Sequence, residues 1–530
     1  MDILGKSLIG FQDATNTTDS FRAWNPATGE QVGPAFFSAT KDDVDRAAKL
    51  AAEAFPVFSQ LKHTDKAAFL RRVASQIEAN AEQIIECAHL ETALPKPRLQ
   101  SETGRTCNQL RLFASVVGDG SWVLARIDRA ESQRKPLPKP DVRSMWHALG
   151  PVVVFGASNF PLAFSTAGGD TASAFAAGNP VIVKAHPAHP GTSELVGRAI
   201  RESVRAQGLP EGVFSLLFDS GTSIGAALVQ HPLVKAAGFT GSTVAGRALM
   251  NLAVSRPEPI PFYGEMGSTN PLFILPGALA ARGKEIAAQL HGSFTMGAGQ
   301  FCTKPGLVFL PASEAAATFV TELQDKVSHS AKLMLLTSGI RAAYKRETQD
   351  RKGRASVAVL AEGDQPGTES AFLAGVQAFQ IDVPTLLANS DLESEVFGPS
   401  TLLVRFSSKE QVLQAARSLS GHLTATIHGT DEDLREFGEL LQILRNKVGR
   451  IVFNGYPTGV EVCHAMIHGG PYPASTDARS TSVGTQAIYR FARPVCYQDF
   501  PSSALPDELQ DANPLSIWRM VDGQLTRQEL

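Results

Sequence analysis

The spacing of apolar residues differs between the N-terminal part of the chain and the part after Gly150. Residues 41 to 80 repeat apolar side chains at the spacing of an α-helix, and Thr40 stands where a helix N-cap is expected. After Gly150, the short apolar runs PVVVFG, NPVIVKA, GVFSLLF and VKAAGFTG alternate with segments of helical spacing. This alternation predicts βαβ units and a parallel sheet that is buried on both faces.

A second alternation begins near Asn270 with NPLFILPG and continues through a helical segment to GLVFLP, which predicts another α/β domain. The proline-rich residues 132 to 140 favour an extended arm over a helix. The C-terminal residues include strand-like pieces in TSVGTQAIYRFARPVCYQDFP and then a polar tail with little periodicity. Such an ending is typical of a segment that reaches another subunit, or of a frayed terminus.

Length and charge narrow the class of partner. A chain of 530 residues with 43% hydrophobic content is expected to form two or three domains. The net charge of -3 offers no attraction to nucleic acid or to an anionic membrane. The sequence contains neither a signal-peptide pattern nor a run of about 20 apolar residues that could span a membrane. We therefore expect a cytoplasmic protein with a small-molecule substrate.

One of the five cysteines lies in a turn. Their odd number and the absence of C-x-x-C spacing predict neither a disulfide framework nor a metal site. Cys302 stands in GAGQFCTKPG, where glycines let backbone N–H groups approach a thiolate. The sequence indicates a nucleophile there, with a buried, unreactive thiol as the alternative.

Three polar residues follow predicted strands. Glu265, after an apolar run, fits a general base or a turn cap. Asn159, at the end of the first parallel strand, fits an oxyanion donor or an Asx-turn. Lys184 ends a strand that is predicted to be buried, so its ammonium is expected either to face a ligand cleft or to reach solvent from the strand end. The segment GSTVAG, which begins at Gly241, fits a pyrophosphate site at a helix N-terminus.

Six motifs in order, FGASNFP, VIVKAHP, FTGSTVAGR, YGEMGSTNP, GQFCTKPG and SEVFGP, resemble those of the aldehyde dehydrogenase superfamily from about residue 11 to about residue 499. The resemblance implies an α/β fold with a variant Rossmann cofactor domain, an α/β catalytic domain and a β-strand oligomerisation arm. It places the cofactor domain at residues 1–130 and 150–264, the catalytic domain at 265–475, and the arm and tail at 131–149 and 476–530.

The same resemblance implies roles for individual residues. Cys302 would be the nucleophile, Glu265 the general base, and Asn159 the oxyanion donor together with the backbone N–H of Cys302. The implied cofactor-binding residues are Lys184, His186, Gly221, Gly225, Gly241, Ser242, Glu395 and Phe397.

Cofactor choice depends on the residue three positions after Lys184. Many NAD-preferring members carry a glutamate there that repels the 2′-phosphate of NADP, and this chain has Pro187. His186 and His189 add potential cations nearby. We therefore expect NADP to be preferred, with NAD as the alternative.

The amino-acid sequence of residues 154 to 196 and of HGGPYPAST most resembles a subgroup that includes bacterial α-ketoglutarate semialdehyde (2,5-dioxopentanoate) dehydrogenases. NADP-dependent fatty aldehyde dehydrogenases look like more distant relatives. A dicarboxylate product requires a cation for the distal carboxylate, and Arg105 or Arg111 is the candidate. Phe160 and His464 are further candidates for the substrate pocket, where His464 would tune the thiol.

Other classes and the assembly state remain open at this stage. A non-redox cysteine acyltransferase or hydrolase would leave Lys184, GSTVAG and Glu395 unexplained, and a non-catalytic scaffold would not require Cys302 and Glu265. The arm and tail predict a homo-oligomer, with a homodimer favoured over a homotetramer.

Overall fold

A computed structural model describes residues 2 to 363 and 371 to 530. Its strands, in chain order, are β1 (Leu8–Ile9), β2 (Gln12–Asp13), β3 (Ser20–Asn25), β4 (Glu30–Phe37), β5 (Arg126–Asp128), β6 (Val142–Ala148), β7 (Val152–Phe155), β8 (Val181–Lys184), β9 (Phe214–Leu217), β10 (Ala236–Thr240), β11 (Phe262–Glu265), β12 (Leu272–Ile274), β13 (Leu307–Pro311), β14 (Leu333–Met334), β15 (Ala358–Glu362), β16 (Leu373–Ala374), β17 (Gln377–Asp382), β18 (Ser400–Phe406), β19 (His422–His428), β20 (Val448–Phe453), β21 (Ala492–Gln498), β22 (Arg519–Val521) and β23 (Gln524–Thr526).

The helices, in chain order, are α1 (Lys41–Ser59), α2 (His63–Ala79), α3 (Ala81–Thr92), α4 (Lys96–Asp119), α5 (Gly169–Ala177), α6 (Pro190–Ala206), α7 (Ser223–Gln230), α8 (Thr243–Val254), α9 (Pro276–Thr295), α10 (Ala315–Ser328), α11 (Ser338–Gly353), α12 (Val383–Ala388), α13 (Lys409–Ser418), α14 (Asp431–Glu436) and α15 (Gly438–Leu444). Thr40 caps α1 through a reciprocal pair of hydrogen bonds with Asp43, which confirms the predicted start of that helix. In the described parts of the chain, no helix combines the length and apolarity that a membrane crossing needs.

The first large sheet has the strand order β11-β10-β7-β8-β9-β1-β2. Its five strands from β7 to β11 run parallel, as the apolar runs predict. Both faces are buried: Val152 and Val154 of β7 pack in a core with helices α2, α4, α5 and α6, whereas Val153 packs in a separate core with α1, α7 and α8. Helices on both faces of a parallel sheet form the doubly wound arrangement, in which ligands gather at the carboxyl ends of the strands.

The second large sheet has the order β15-β17-β18-β13-β12-β19-β20 and contains the predicted runs near Asn270. Only β15 pairs antiparallel to its neighbour within this sheet. Phe273 and Phe309, on adjacent strands, stack with ring centroids 4.5 Å apart and belong to one of the two cores that flank the sheet. This unit therefore repeats the three-layer arrangement of the first.

A third sheet, in the order β21-β6-β5-β22-β23, joins the proline-rich arm to the C-terminal residues. The alternative of a frayed terminus is wrong for residues 519 to 526, because β22 pairs with β5 and β23 pairs with β22. Arg519 is fully buried in this tail and donates hydrogen bonds to backbone carbonyls, beside the buried Ile517. β5 belongs to this sheet although its residues fall inside the predicted cofactor segment 1–130.

Candidate active site

Cys302 lies in the loop between a short helical turn (Met296–Gly299) and β13. Gly299 in this turn has a φ of +68°, and a methyl group on it would come within 2.2 Å of the backbone oxygen of Gly398. Only glycine combines this left-handed backbone with so close an approach. The thiol loop is therefore packed directly against the loop that contains Glu395 and Phe397.

Two buried side chains hold the thiol loop from either side. Asn270 Nδ2 donates to the carbonyl oxygens of Cys302 at 2.8 Å and Lys304 at 3.0 Å. Lys304 Nζ donates to Val396 O at 2.7 Å and to Ser400 O at 3.1 Å. Because these contacts are buried, the position of Cys302 is set by the fold rather than by its own flexible glycines.

His468 stands between Cys302 and Glu265. Its Nε2 lies 3.4 Å from Cys302 Sγ and 2.9 Å from Glu265 Oε1. Both His468 and Glu265 are buried, and Cys302 is partly exposed. The predicted nucleophile and general base are thus connected through an imidazole to which the sequence analysis gave no role.

The backbone fixes His468 in place. Its N–H donates to Thr481 Oγ1 at 2.8 Å, and its carbonyl accepts from the N–H of Ser482 at 2.8 Å. The Ser482 hydroxyl also donates a short hydrogen bond to Glu265 Oε2. The segment 481–482 therefore orients both the imidazole and the carboxylate, while His468 Nδ1 has no hydrogen-bond partner among the described residues.

Burial and charge set the protonation of this group. Burial raises the pKa of the Cys302 thiol well above its usual value, and the charge of Glu265 raises it further. Burial also acts to raise the pKa of Glu265, but His468, Ser482 and Cys302 outweigh it and lower that pKa below its usual value. The resting site therefore holds a protonated thiol and an ionised carboxylate, and the thiol requires a base.

Asn159 lies in the loop after β7, at the carboxyl end of the first sheet. Its side chain is buried, and Nδ2 donates to the carbonyl of Gln300 at 2.9 Å. That carbonyl belongs to the residue two positions before Cys302. The structure therefore places the Asn159 side chain against the loop that carries Cys302.

Lys184 ends β8 with its ammonium buried, so it does not reach solvent from the strand end. Nζ donates to Asp219 O at 2.6 Å, and burial lowers the pKa of Lys184 to about 8, although the Asp219 charge opposes this. His186 and His189 stack beside it with centroids 5.6 Å apart. Burial lowers the pKa of both imidazoles, that of His186 well below its usual value, so both are neutral at neutral pH.

The glycines predicted for cofactor binding occupy turns and close contacts. Gly221 donates its N–H to Asp219 Oδ1 at 2.9 Å, and a methyl group on Gly225 would lie 2.9 Å from the Phe155 ring. Gly241 precedes the N-cap Ser242, whose Oγ accepts from Ala245 N at 3.3 Å at the start of α8. The amino end of α8 thus begins directly after strand β10, as the GSTVAG segment predicts.

Glu395 and Phe397 lie in the loop before β18. Glu395 accepts a backbone hydrogen bond from Ser268, and a methyl group on Gly267 would come within 2.6 Å of Glu395 Oε2. Burial raises the pKa of Glu395 to about 7, against the lowering effect of the Lys304 charge. The Glu395 carboxylate is also close enough to Cys302 to raise the thiol pKa.

These residues fit a nicotinamide dinucleotide. Lys184 at the end of β8 and Ser242 at the amino end of α8 lie at the carboxyl edge of the first sheet. The Glu395 loop precedes β18 of the second sheet and lies close enough to Cys302 to affect the thiol pKa. A buried ammonium, the amino end of a helix and a carboxylate suit ribose hydroxyls and pyrophosphate, although the N–H of Gly241 itself donates to Glu265 O at 3.1 Å.

Two of the four predicted substrate residues line the approach to the thiol. Phe160 packs on Phe164 and Phe301 with ring centroids 5.4 and 5.1 Å apart. The Arg105 guanidinium lies 5.3 Å from the Phe164 ring centroid, and its Nε has no hydrogen-bond partner among the described residues. Burial lowers the pKa of Arg105, whereas the charges of Glu102, Cys302 and Glu265 raise it, which places this cation within electrostatic reach of the thiol.

The structure does not bring the other two substrate candidates to the thiol. Arg111 donates to both carboxylate oxygens of Glu78, one at 2.6 Å, on an exposed part of α4. His464 is exposed, and its Nδ1 lies 3.3 Å from Thr485 Oγ1. The contact with Cys302 that was expected for His464 is made by His468, four residues later.

Arg98 is a further cation that the sequence analysis missed. It lies 5.2 Å from the Phe160 centroid and 5.1 Å from the Phe301 centroid, and it donates to Asn159 O at 2.8 Å. Arg98 and Arg105 are seven residues apart on α4 and therefore face the same side, a helical spacing that could have revealed the pair.

Comparison with known proteins agrees with this geometry. The sequence profile of the aldehyde dehydrogenase family matches residues 11–472, and the chain belongs to that family. Its members are oxidoreductases that use NAD or NADP to oxidise aldehydes.

The chain is 49% identical over 529 residues to alpha-ketoglutaric semialdehyde dehydrogenase 2 of Azospirillum brasilense, covering 99% of this chain and 100% of that protein. It is 46% identical over 524 residues to alpha-ketoglutaric semialdehyde dehydrogenase of Acinetobacter baylyi, covering 99% of each. The crystal structure of gamma-glutamyl-gamma-aminobutyraldehyde dehydrogenase from Burkholderia cenocepacia superimposes with a TM-score of 0.81 at 18% identity, covering 94% of this chain and 97% of that one. This last likeness shows that the predicted α/β fold is correct.

Proposed function

We propose that this protein oxidises α-ketoglutarate semialdehyde (2,5-dioxopentanoate) to 2-oxoglutarate with NADP or NAD. The observation that carries the proposal is the contact of His468 Nε2 with both Cys302 and Glu265, which links a nucleophile through an imidazole to an ionised carboxylate base. The two relatives named for this activity, at 49% and 46% identity over nearly the whole chain, support the substrate.

The first half of the reaction uses Cys302. The ionised Glu265 accepts the Nε2–H of His468, so Nε2 can take the thiol proton only as its own proton passes to Glu265, and the thiol proton thus reaches Glu265 through the imidazole. Sγ then attacks the aldehyde carbon, and Asn159 Nδ2 and the N–H of Cys302 donate to the oxyanion that forms. The nicotinamide, when bound, would be the oxidant, because it would accept a hydride from the substrate carbon. Asn159 must release the Gln300 carbonyl to make this contact, which is an exchange of one hydrogen bond for another.

The second half hydrolyses the thioester on Cys302. Glu265 first releases the thiol proton to solvent, since its neighbours lower its pKa, and then removes a proton from water as the water attacks the acyl carbon. The bond to Cys302 Sγ breaks and the carboxylic acid leaves, while His468 returns a proton to the sulfur. Glu265 is held by His468 and by Ser482 in the resting site, so water has to displace one of them.

The distal carboxylate of the substrate requires a cation, and we assign it to Arg105. Its Nε lacks a partner among the described residues, and its guanidinium stacks on Phe164 near the thiol. Arg98 is less available, because it already donates to Asn159 O and lies against two phenylalanine rings. An arginine with unused donors in an aromatic channel suits a short keto-acid aldehyde better than the long alkyl chain of a fatty aldehyde.

For the cofactor we propose that both dinucleotides are used and that NADP is preferred by a small margin. Pro187 brings no carboxylate to the ribose edge, and Lys184 supplies a nearby ammonium. The preference is small because His186 is neutral and because Asp219 lies close to Lys184. Comparison of kcat/KM for the two cofactors tests this, and a higher value with NAD would contradict it.

We also propose a cytoplasmic homo-oligomer, with a dimer favoured. β21 lies at the edge of the third sheet and exposes Arg493, Pro494 and Cys496, so it can extend the sheet of a second copy. On the other side of this sheet, β5 pairs with the chain's own β22 and is not available to a second copy. Free cysteines at all five positions suit a reducing compartment. Light scattering gives the mass of the assembly.

The test of the activity is reduction of NADP and NAD with purified protein and a panel of aldehydes. The panel contains 2,5-dioxopentanoate, succinic semialdehyde, glutaraldehyde and a long-chain aldehyde. We expect the highest kcat/KM with 2,5-dioxopentanoate. A higher value with the long-chain aldehyde would favour the fatty aldehyde alternative, and no reduction with any of them would remove the proposal.

A further inference from the structure

We infer that Cys302, His468 and Glu265 form an inhibitory binding site for Zn²⁺. The sulfur, Nε2 and a carboxylate oxygen of these residues all lie within 4.8 Å of one another. Zinc would bind the resting site, whichever aldehyde the enzyme oxidises.

The donor atoms and their spacing fit zinc. Thiolate, imidazole and carboxylate are the ligands that Zn²⁺ takes in proteins, with bond lengths near 2.0–2.3 Å. A tetrahedral ion with such bonds separates sulfur from nitrogen by about 3.5 Å, and nitrogen from oxygen by about 3.3 Å. The observed separations are 3.4 Å for Cys302 Sγ to His468 Nε2 and 2.9 Å for Nε2 to Glu265 Oε1. A small outward movement of the carboxylate admits the ion.

The surroundings support three ligands and one open position. The Ser482 hydroxyl donates to the other oxygen of Glu265 and leaves Oε1 for the metal, as a partner of a metal-bound carboxylate does. The backbone of His468 is fixed by Thr481 and Ser482, so its ring is already oriented. Water would complete the fourth position on the exposed side of Cys302.

Binding is coupled to proton release. Zn²⁺ bonds to the thiolate and to the lone pair of Nε2, so the proton on Cys302 Sγ leaves to solvent as the Zn–S bond forms, and the hydrogen that Nε2 donates to Glu265 leaves that nitrogen as the Zn–N bond forms. With the sulfur and the imidazole both occupied by the ion, the nucleophile and its base are blocked together. Zinc is therefore expected to inhibit aldehyde oxidation reversibly, and more strongly as pH rises.

The experiment uses the full-length protein with Zn²⁺ and, as a spectroscopic substitute, Co²⁺. Titration with Co²⁺ should give the absorption of a tetrahedral site with a sulfur-to-cobalt charge-transfer band, at one ion per chain, and Zn²⁺ should abolish it. Bound zinc should block alkylation of Cys302 by iodoacetamide, and a chelator should restore both alkylation and activity.

Variants separate this site from other metal binding. His468→Gln removes a ligand and should weaken zinc binding by at least roughly 10- to 100-fold, which is the cost of losing even an outer-shell partner. Ser482→Ala removes such an outer-shell partner and should weaken zinc binding by about tenfold. His464→Gln is the matched control, since it removes an exposed imidazole four residues away and should bind zinc like the wild type. Thermal unfolding of each variant shows whether it is folded.

Three results would overturn the inference. Equal zinc affinity in His468→Gln would mean that the thiol binds the ion alone. An unchanged cobalt spectrum in Cys302→Ser would place the ion elsewhere. Inhibition that a chelator does not reverse would indicate damage to the thiol. Because cobalt binding is read without substrate, failure of the zinc site is distinguishable from failure of the proposed dehydrogenase activity.

Discussion

His468 Nε2 lies 3.4 Å from Cys302 Sγ, within reach of the thiol proton. Burial and the Glu265 charge raise the thiol pKa, so at neutral pH very little thiolate would form without a base at this distance. The imidazole is thus the group whose removal should most directly change the reactivity of Cys302.

His468→Gln is expected to slow alkylation of Cys302 by iodoacetamide at neutral pH by about 100-fold, the range of general-base effects. The pH profile of alkylation should move to higher pH, because the thiol pKa is then set by burial and Glu265 alone. His464→Gln serves as the control and should leave the profile unchanged. A wild-type profile in His468→Gln would show that the imidazole does not act on the thiol.

Glu265→Gln should change two rates in opposite directions. Turnover should fall by about 100-fold because the base for thioester hydrolysis is lost. Alkylation of Cys302 below the thiol pKa should become faster, since the negative charge that raises this pKa is removed. In the wild type, the lowered pKa of Glu265 keeps this base ionised at neutral pH, and activity should fall only when acid protonates it. Slower alkylation in the variant would contradict the electrostatic argument.

Arg105→Leu should raise KM for 2,5-dioxopentanoate and lower kcat/KM by roughly 10- to 100-fold, the effect of losing one charged hydrogen bond. Oxidation of pentanal, which has no distal carboxylate, should change little. Arg111→Leu is the matched control on the same helix, because its guanidinium is occupied by Glu78 at the surface. If both variants kept the wild-type KM for the keto-acid aldehyde, the carboxylate would be bound elsewhere.

Asp219→Asn should favour NADP. The carboxylate lies close enough to Lys184 to affect its pKa, and its removal leaves the ammonium uncompensated beside the ribose edge. We expect the ratio of kcat/KM for NADP to that for NAD to rise by about tenfold. An amide at this position can still accept from the N–H of Gly221 but loses the bond from the N–H of Ile224, so thermal unfolding of the variant checks that the turn persists. A ratio that stays constant would place the 2′-phosphate away from Asp219.

Gly299→Ala should destabilise the protein by about 2 kcal/mol or more, because the methyl group meets the Gly398 carbonyl and the backbone is left-handed. Gly292→Ala is the comparison: Gly292 lies in α9 with open space around it, and alanine there should stabilise by about 0.5–1 kcal/mol. Denaturant unfolding of the two variants measures both effects. Equal stability of Gly299→Ala and the wild type would contradict the packing of the two loops.

Several features could be read from the sequence because they depend on local pattern. The apolar runs from PVVVFG to VKAAGFTG became the parallel strands β7 to β10, since a strand buried on both faces needs continuous apolar residues. Their carboxyl ends then had to meet at one edge, which is why Asn159, Lys184 and Glu265 could be predicted to lie at the same edge of the sheet. The helix that starts after Thr40 is likewise a local consequence of its cap.

Other features depended on the tertiary structure. His464 and His468 lie in a segment without helix or strand, where no periodicity tells which imidazole faces the thiol, and the contact with Cys302 joins residues 166 positions apart. The charge of His186 could not be predicted either, because its pKa is set by burial. The motifs thus determined which residue types meet at the sheet edge, whereas long-range packing decided which histidine acts and which cations keep their charge, because distance and desolvation exist only in the folded chain.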